Sequence, residues 1–258
     1  MKIYKSIKRI ITLLVLAFIF SGDIYPQEFG FGCLGLTGAY AGYQTQLINA
    51  GGLNNYIAVF NDLRKDSLEK ALPDFTELQG FRFGLLVYRL QFTGFRLNFT
   101  TFYERLSGKK QTLVFLSQGE RQNNTLELAI DKFGIGVDIV TPITRLLSWK
   151  IVDVNLTVNR ASFTKTINTA AITFLSTKYT TNENSLGYAV GTGFIWHIIE
   201  DYISLEGTAS YTFFSVGRMK DDKNSFLPVS EINPSSMDPA INSGGLNTLI
   251  QINLGFPF

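Results

Sequence analysis

A single histidine limits the chemistry open to this chain. His197 is the only imidazole in 258 residues, and Ser–His or Asp–His hydrolysis needs a general base of near-neutral pKa, which histidine most often supplies. Cys33 is likewise the only cysteine, so it has no partner for an internal disulfide or a cysteine metal cluster. It reads as a small apolar wall residue; Gly30-Phe31-Gly32 before it lacks the apolar-small pattern of a lipidation site. Asp221–Asp222 could meet a cation, but two adjacent acids are a weak metal signal, and they lie among Lys220, Lys223, Pro228, Pro234 and Pro239 in a solvated stretch. There is no phosphate-binding glycine loop, zinc spacing or EF-hand loop. The expectation is no catalytic residue, no metal and no cofactor. The remaining chemistry lies in five charges, Arg82, Arg96, Glu104, Asp153 and Glu206, each set inside a strongly patterned segment.

The elements that position those charges are strands. Val152, Val154, Leu156 and Val158 alternate with Asp153, Asn155, Thr157 and Asn159, a period-2 split into apolar and polar faces. Ile203, Leu205, Ala209, Tyr211 and Phe213 oppose Ser204, Glu206, Thr208, Ser210 and Thr212; Phe81, Phe83, Leu85 and Val87 oppose Arg82, Gly84 and Tyr88; Phe95, Leu97, Phe99 and Tyr103 oppose Arg96, Asn98, Thr100 and Glu104. Between Thr125 and Val140 the apolar parity changes, from Leu126, Leu128 and Ile130 to Phe133, Ile135, Val137 and Ile139. A bulge near Asp131–Lys132 would account for the change. Eight strands are predicted, near 29–44, 78–90, 93–107, 123–140, 149–165, 184–198, 201–216 and 244–258; the facing of the Gly-rich first one is ambiguous.

The connections alternate in length. Those at 91–92, 141–148 and 199–200 are short, and those at 45–77, 108–122, 166–183 and 217–243 are long. Short turns on one side and long loops on the other are the layout of a membrane-spanning barrel. A soluble sandwich or a lipocalin-like barrel is the alternative, but neither requires such alternation. In the first long loop Leu53, Tyr56, Ile57 and Phe60 follow helical spacing, with Asn54 or Asn55 as a cap; Leu68, Ala71 and Leu72 continue it as a second turn or short helix that Pro73 ends. This helix could cap the barrel mouth, lie on the outer leaflet or dock a partner.

The N-terminus is a processing signal. Lys2, Lys5, Lys8 and Arg9 precede an apolar run from Ile10 to Phe20, too short to span a ~30 Å hydrocarbon core but suited to a signal peptide. The expected division is a signal peptide over 1–27, cut between Ser21 and Glu28, and a barrel over 28–258; an uncleaved anchor is the alternative. Removing 1–27 leaves 19 basic and 20 acidic residues of the 23 and 21, so no excess of basic charge remains to attract nucleic acid. With 17% charged and 14% aromatic residues, the composition suits strands with one apolar and one polar face.

The last strand carries the most specific signal. Thr248, Ile250, Ile252, Leu254, Phe256 and Phe258 share one parity, opposite Leu249, Gln251, Asn253 and Gly255. A terminal apolar strand ending on Phe resembles the assembly signal of bacterial outer-membrane proteins, and the layout is similar to the small OmpA/OmpX-like outer-membrane barrels. The resemblance implies an all-β, eight-stranded antiparallel transmembrane barrel in the bacterial outer membrane, with a short helix in the first extracellular loop. It implies outer-membrane lipid and lipopolysaccharide as surroundings, and an assembly machinery that engages Ile252, Leu254, Phe256 and Phe258. It also implies a monomer. The expectation is a barrel with no trailing periplasmic domain. Trp196 and Trp149 sit at the short-turn end, as an interfacial aromatic belt requires.

Inward residues decide whether such a barrel conducts. Asn155, Thr157, Gly187, Gly191, Gly193, Ser204 and Ser210 are modest; Arg82, Tyr88, Arg96 and Phe102 are large. Eight-stranded interiors are narrow enough to be filled by side chains, with Arg82 and Arg96 expected to pair with Asp153, Glu206 and Glu104. The leading expectation is a non-enzymatic structural or surface-binding barrel acting through its long loops. A small pore or lipid-associated transporter is the alternative, and a hydrolase a third. His197 lies at the short-turn end, opposite the surface where the known barrel hydrolases work.

Overall fold

Period-2 alternation becomes a closed wall. The computed structural model describes residues 37–116, 120–169, 175–181, 183–200, 202–227 and 239–255. Ten strands form one antiparallel sheet: β1 Gly38–Leu47, β2 Glu77–Phe92, β3 Phe95–Phe115, β4 Arg121–Pro142, β5 Leu147–Asn168, β6 Leu175–Thr181, β7 Ser185–Ile199, β8 Ile203–Phe214, β9 Met219–Lys220 and β10 Leu246–Gly255. β1 pairs with β10, and β4 pairs with β5, so the sheet has no open edge across the membrane. β6 and β7 pair with the upper and lower parts of β5, and β9 continues the line of β8 against β6. The ten strands therefore build eight staves. Closure gives the wall's backbone partners on neighbouring strands all the way round, the condition for crossing hydrocarbon.

The wall changes character along its height. Through the lower part the outward stripe is apolar and exposed, with Phe81, Phe83, Phe133, Ile135, Leu156, Tyr188, Phe213 and Ile250 among its members, while inward residues such as Arg82, Glu104, Asp153 and Glu206 are buried. Higher up the same strands reverse. Outward positions become Arg105, Asp131 and Arg160, and inward positions become Leu106, Leu126, Leu128, Ile130 and Phe163, each no more than 1% exposed. Below the switch the outside is lipid and the lumen polar; above it the outside is water and the interior is an ordinary apolar core.

This switch corrects the bulge expected near Asp131–Lys132. Pairing of β4 runs without interruption from Arg96↔Val140 to Phe115↔Arg121 on one side, and through Asp131↔Arg160 and Lys132↔Asn159 on the other. The apolar parity changes because β4 leaves the bilayer, not because its backbone slips. The actual irregularities lie toward the short-turn end, between Leu86 and Tyr88, at Ile151, and between His197 and Ile199. The first two reverse facing beyond them. Tyr88, expected inward, turns outward to pack at 6.1 Å from Phe99, and Arg89 takes the lumen side.

The expected loops 108–122 and 166–183 are largely wall: β3 and β4 extend to Phe115 and Arg121, and β5 and β6 occupy much of the other. Two glycines thin the wall for aromatic neighbours. A Cβ at Gly84 would lie 2.2 Å from the Tyr40 ring, and one at Gly134 would lie 2.3 Å from the Phe102 ring. In each pair a ring from the adjacent strand covers the missing side chain. The first strand faces Gln44 and Gln46 inward and Tyr43 outward. The signal segment, Cys33, Phe256 and Phe258 lie outside the described residues.

Candidate functional site: the charged lumen and its plugged outer mouth

The outer mouth holds α1, Gly51–Leu63. Leu53, Tyr56, Ile57 and Phe60 are at most 2% exposed, and they join Phe75, Leu78, Leu106, Leu128, Phe163 and Ile241 in one apolar core. The helix thus lies in the mouth with its apolar face inward. Its N-cap is Ala50, with no side-chain cap, which corrects the assignment of Asn54 or Asn55 to that role. Asn54 has a different task. Its amide donates to the Phe75 carbonyl at 3.2 Å and accepts from the Phe75 N–H at 2.8 Å. Asn61, two turns on, makes the same reciprocal pair with Leu72, both bonds at 2.9 Å. These side chains stand in for a β-bridge at Leu72 and Phe75, while Leu68, nearer the helix, pairs with Val114 of β3. Lys165 donates to the Tyr56 hydroxyl at 2.7 Å, tying α1 to β5.

Beneath the plug, charges cross the lumen. Arg82 donates to Glu104 through Nε at 3.1 Å and Nη2 at 2.8 Å, and its guanidinium lies 4.3 Å from the Phe102 ring centre. Lys132 Nζ approaches the other oxygen of Glu104 at 2.7 Å and also contacts Gln46. Lower down, Lys150 bridges Glu206 and Asp138, the latter at 3.3 Å. Asn98 donates to Asp138 at 2.7 Å, and Asn253 donates to Glu206 at 3.0 Å. Of the five charges singled out in the sequence, Arg82 and Glu104 are brought together, and Glu206 meets Lys150 rather than an arginine. Asp153 is buried beside this cluster. Arg96 reaches Ser148 at 3.4 Å. Lys132, Asp138 and Lys150 were missed. Lys132 and Asp138 share the inward parity of β4 once the bulge is removed, whereas Lys150 turns inward only through the irregularity at Ile151.

A cavity of about 90 Å³ lies in the lower lumen, lined by Arg89, Arg96, Asp138, Lys150, Glu206 and His197 among others. It has room for several waters. His197 Nε2 lies 2.9 Å from Ser148 Oγ, but Ser148 is 1% exposed and lies outside the cavity lining.

A closed eight-stave wall with a lipid-facing apolar belt and a polar, charge-paired interior defines the class. The chain is a small outer-membrane β-barrel of the OmpA/OmpX-like architecture. Solved structures with some likeness to it include the neisserial surface protein A, 12% identical, covering 84% of this chain and 97% of that one at TM-score 0.39. Ail, the attachment invasion locus protein of Yersinia pestis, is 12% identical over 84% of this chain and 96% of that one at TM-score 0.36. The outer membrane protease OmpT from Escherichia coli is 8% identical over 86% and 94% at TM-score 0.36. No family model and no curated protein matches the chain. At these values the neighbours carry no function across, and the assignment rests on the wall itself.

Proposed function

We propose that this barrel is a non-enzymatic surface protein with a closed lumen, working through the wall and loops it raises above the outer leaflet. The supporting observation is the plug: four apolar side chains of α1, Leu53, Tyr56, Ile57 and Phe60, fill the outer mouth to near-complete burial. Solute passing the lower lumen would still meet the Glu104 and Lys150 ion clusters and then a dry core. The hydrolase reading is weakened by the burial of Ser148, which shields its hydroxyl from a scissile carbonyl. In this reading the last strand serves assembly through Ile252, Leu254, Phe256 and Phe258, and the closed wall leaves no edge for another copy to extend.

Planar-bilayer recording tests the closed state. The refolded mature chain is expected to give no steady conductance, and deletion of 51–72 is expected to raise it. Steady channels in the unaltered protein, changed by Arg82→Ala or Glu206→Ala, would overturn the proposal in favour of a pore.

A further inference from the structure

Two buried acceptors face the cavity of the lower lumen without a donor. Asp153 is 7% exposed and Asn98 is 8% exposed, and both line that cavity. Among the described residues Asp153 makes no side-chain hydrogen bond and no ion pair. Asn98 gives its amide N–H to Asp138, and its Oδ1 is buried with no hydrogen-bond partner. Asp138 and Asp153 are register partners on β4 and β5, and like charges directly opposite each other repel. The nearby cations are directed elsewhere: Lys150 to Glu206 and Asp138, and Arg82 to Glu104. This part of the cavity calls for a cation that donates hydrogen bonds.

The same cavity also presents donors. Arg89 and Arg96 line it. Arg89 is the register partner of Asn98, and Arg96 reaches Ser148 at 3.4 Å. Each guanidinium carries five N–H donors in a planar fork that matches a carboxylate. The cavity opens at the short-turn end, where Gly38, Ile199, Tyr202 and Gly255 line it. Above it the Glu104 cluster and the plug close the lumen. Its volume of about 90 Å³ holds roughly six to nine waters, or a solute of about that many non-hydrogen atoms.

We propose that the lower lumen is a blind pocket for a small zwitterion, with its ammonium on Asp153 and Asn98 Oδ1 and its carboxylate on Arg89 and Arg96. A solute with one charge alone answers only one of these two sets, and a buried polar group left without its partner is costly. A pocket closed above is separate from the surface role of the loops and requires no conductance.

The test is a saturation-transfer NMR titration of the full mature barrel in detergent. The probes are 4-aminobutyrate and glycine as zwitterions, acetate as the anion and methylammonium as the cation. The unaltered barrel is expected to hold at least one zwitterion about tenfold more tightly than either singly charged probe. Asp153→Asn, of nearly the same shape, is expected to remove that advantage and to leave acetate unchanged. Arg89→Gln is expected to weaken the zwitterion and acetate alike. Gel mobility before and after heating checks that each variant is a folded barrel, and the comparison of probes on the unaltered chain needs no variant. Saturation transfer to none of the probes would leave the cavity to water alone and overturn the proposal. So would acetate or methylammonium held as tightly as the zwitterions, or an unchanged preference in folded Asp153→Asn.

Discussion

Lys132 and Glu104 face each other across β3 and β4 with Nζ 2.7 Å from Oε1, and Arg82 holds the other oxygen of the same carboxylate at 2.8 Å. One carboxylate thus pairs with two cations, all three at most 9% exposed in their side chains. They sit where the polar lumen meets the apolar core, with Leu106 and Ile130 the next inward residues above. Glu104→Gln keeps the shape and leaves Arg82 and Lys132 buried together without the carboxylate. Loss of one partner in a buried ionic cluster costs about 3–5 kcal/mol. The variant is expected to unfold at markedly lower urea in lipid vesicles. Adding Lys132→Met should recover part of the loss, because it removes one of the two stranded charges.

The switch of facing makes a sharper demand on the wall. Ile135 is outward and 62% exposed within the apolar belt, whereas Thr164 is outward above the switch, beyond Arg160 on β5. Ile135→Arg is expected to cost about 2–4 kcal/mol, as for a cation near the bilayer midplane. Thr164→Arg should stay within about 0.5 kcal/mol, as for an ordinary water-facing substitution. Equal costs at the two positions, measured by urea unfolding in vesicles, would contradict the assigned boundary.

The same boundary explains what the sequence could and could not reveal. Alternation in β5 and β8 was plain because those segments keep one environment for most of their length, so Asp153 and Glu206 were placed on the right face. In β4 the environment changes while the backbone does not. A reading that assumes one solvent outside the wall must convert that change into a bulge, and it loses Lys132 and Asp138. Where the backbone does slip, at Val87 and Ile151, no Gly or Pro marks it, so Tyr88 took the wrong facing and Lys150 was not singled out. The helix was legible from its spacing. The roles of Asn54 and Asn61 were not, because they depend on a segment 11–21 residues away.

Those two asparagines give a test confined to the plug. Asn61→Ala would leave the N–H and C=O of Leu72, itself 3% exposed, without their reciprocal partners. An orphaned buried backbone group costs about 1–3 kcal/mol. Asn61→Ala, and more strongly Asn54→Ala with Asn61→Ala, is expected to open 64–76 to protease on vesicle-embedded barrel. The heat-dependent gel shift of the wall should persist. Protection equal to that of the unaltered chain would mean that the apolar face of α1 alone holds the plug.

A pair of glycine substitutions separates close approach from mere composition. A Cβ at Gly52 would lie 2.4 Å from the Pro239 carbonyl oxygen, where the helix start meets the last loop, and Leu53 N donates to the Ala240 carbonyl at 3.3 Å nearby. That neighbour is backbone and cannot rotate aside. Gly52→Ala is therefore expected to push α1 away from 239–242 and to speed hydrogen exchange at Leu53, although alanine favours helix more than glycine does. Gly207, outward on β8, would meet nothing within 4 Å. Gly207→Ala is expected to leave the exchange pattern unchanged and to raise the unfolding midpoint slightly, since it removes freedom from the unfolded chain. If Gly52→Ala also stabilised the barrel and left Leu53 protected, the contact between α1 and the last loop would have no part in closing the mouth.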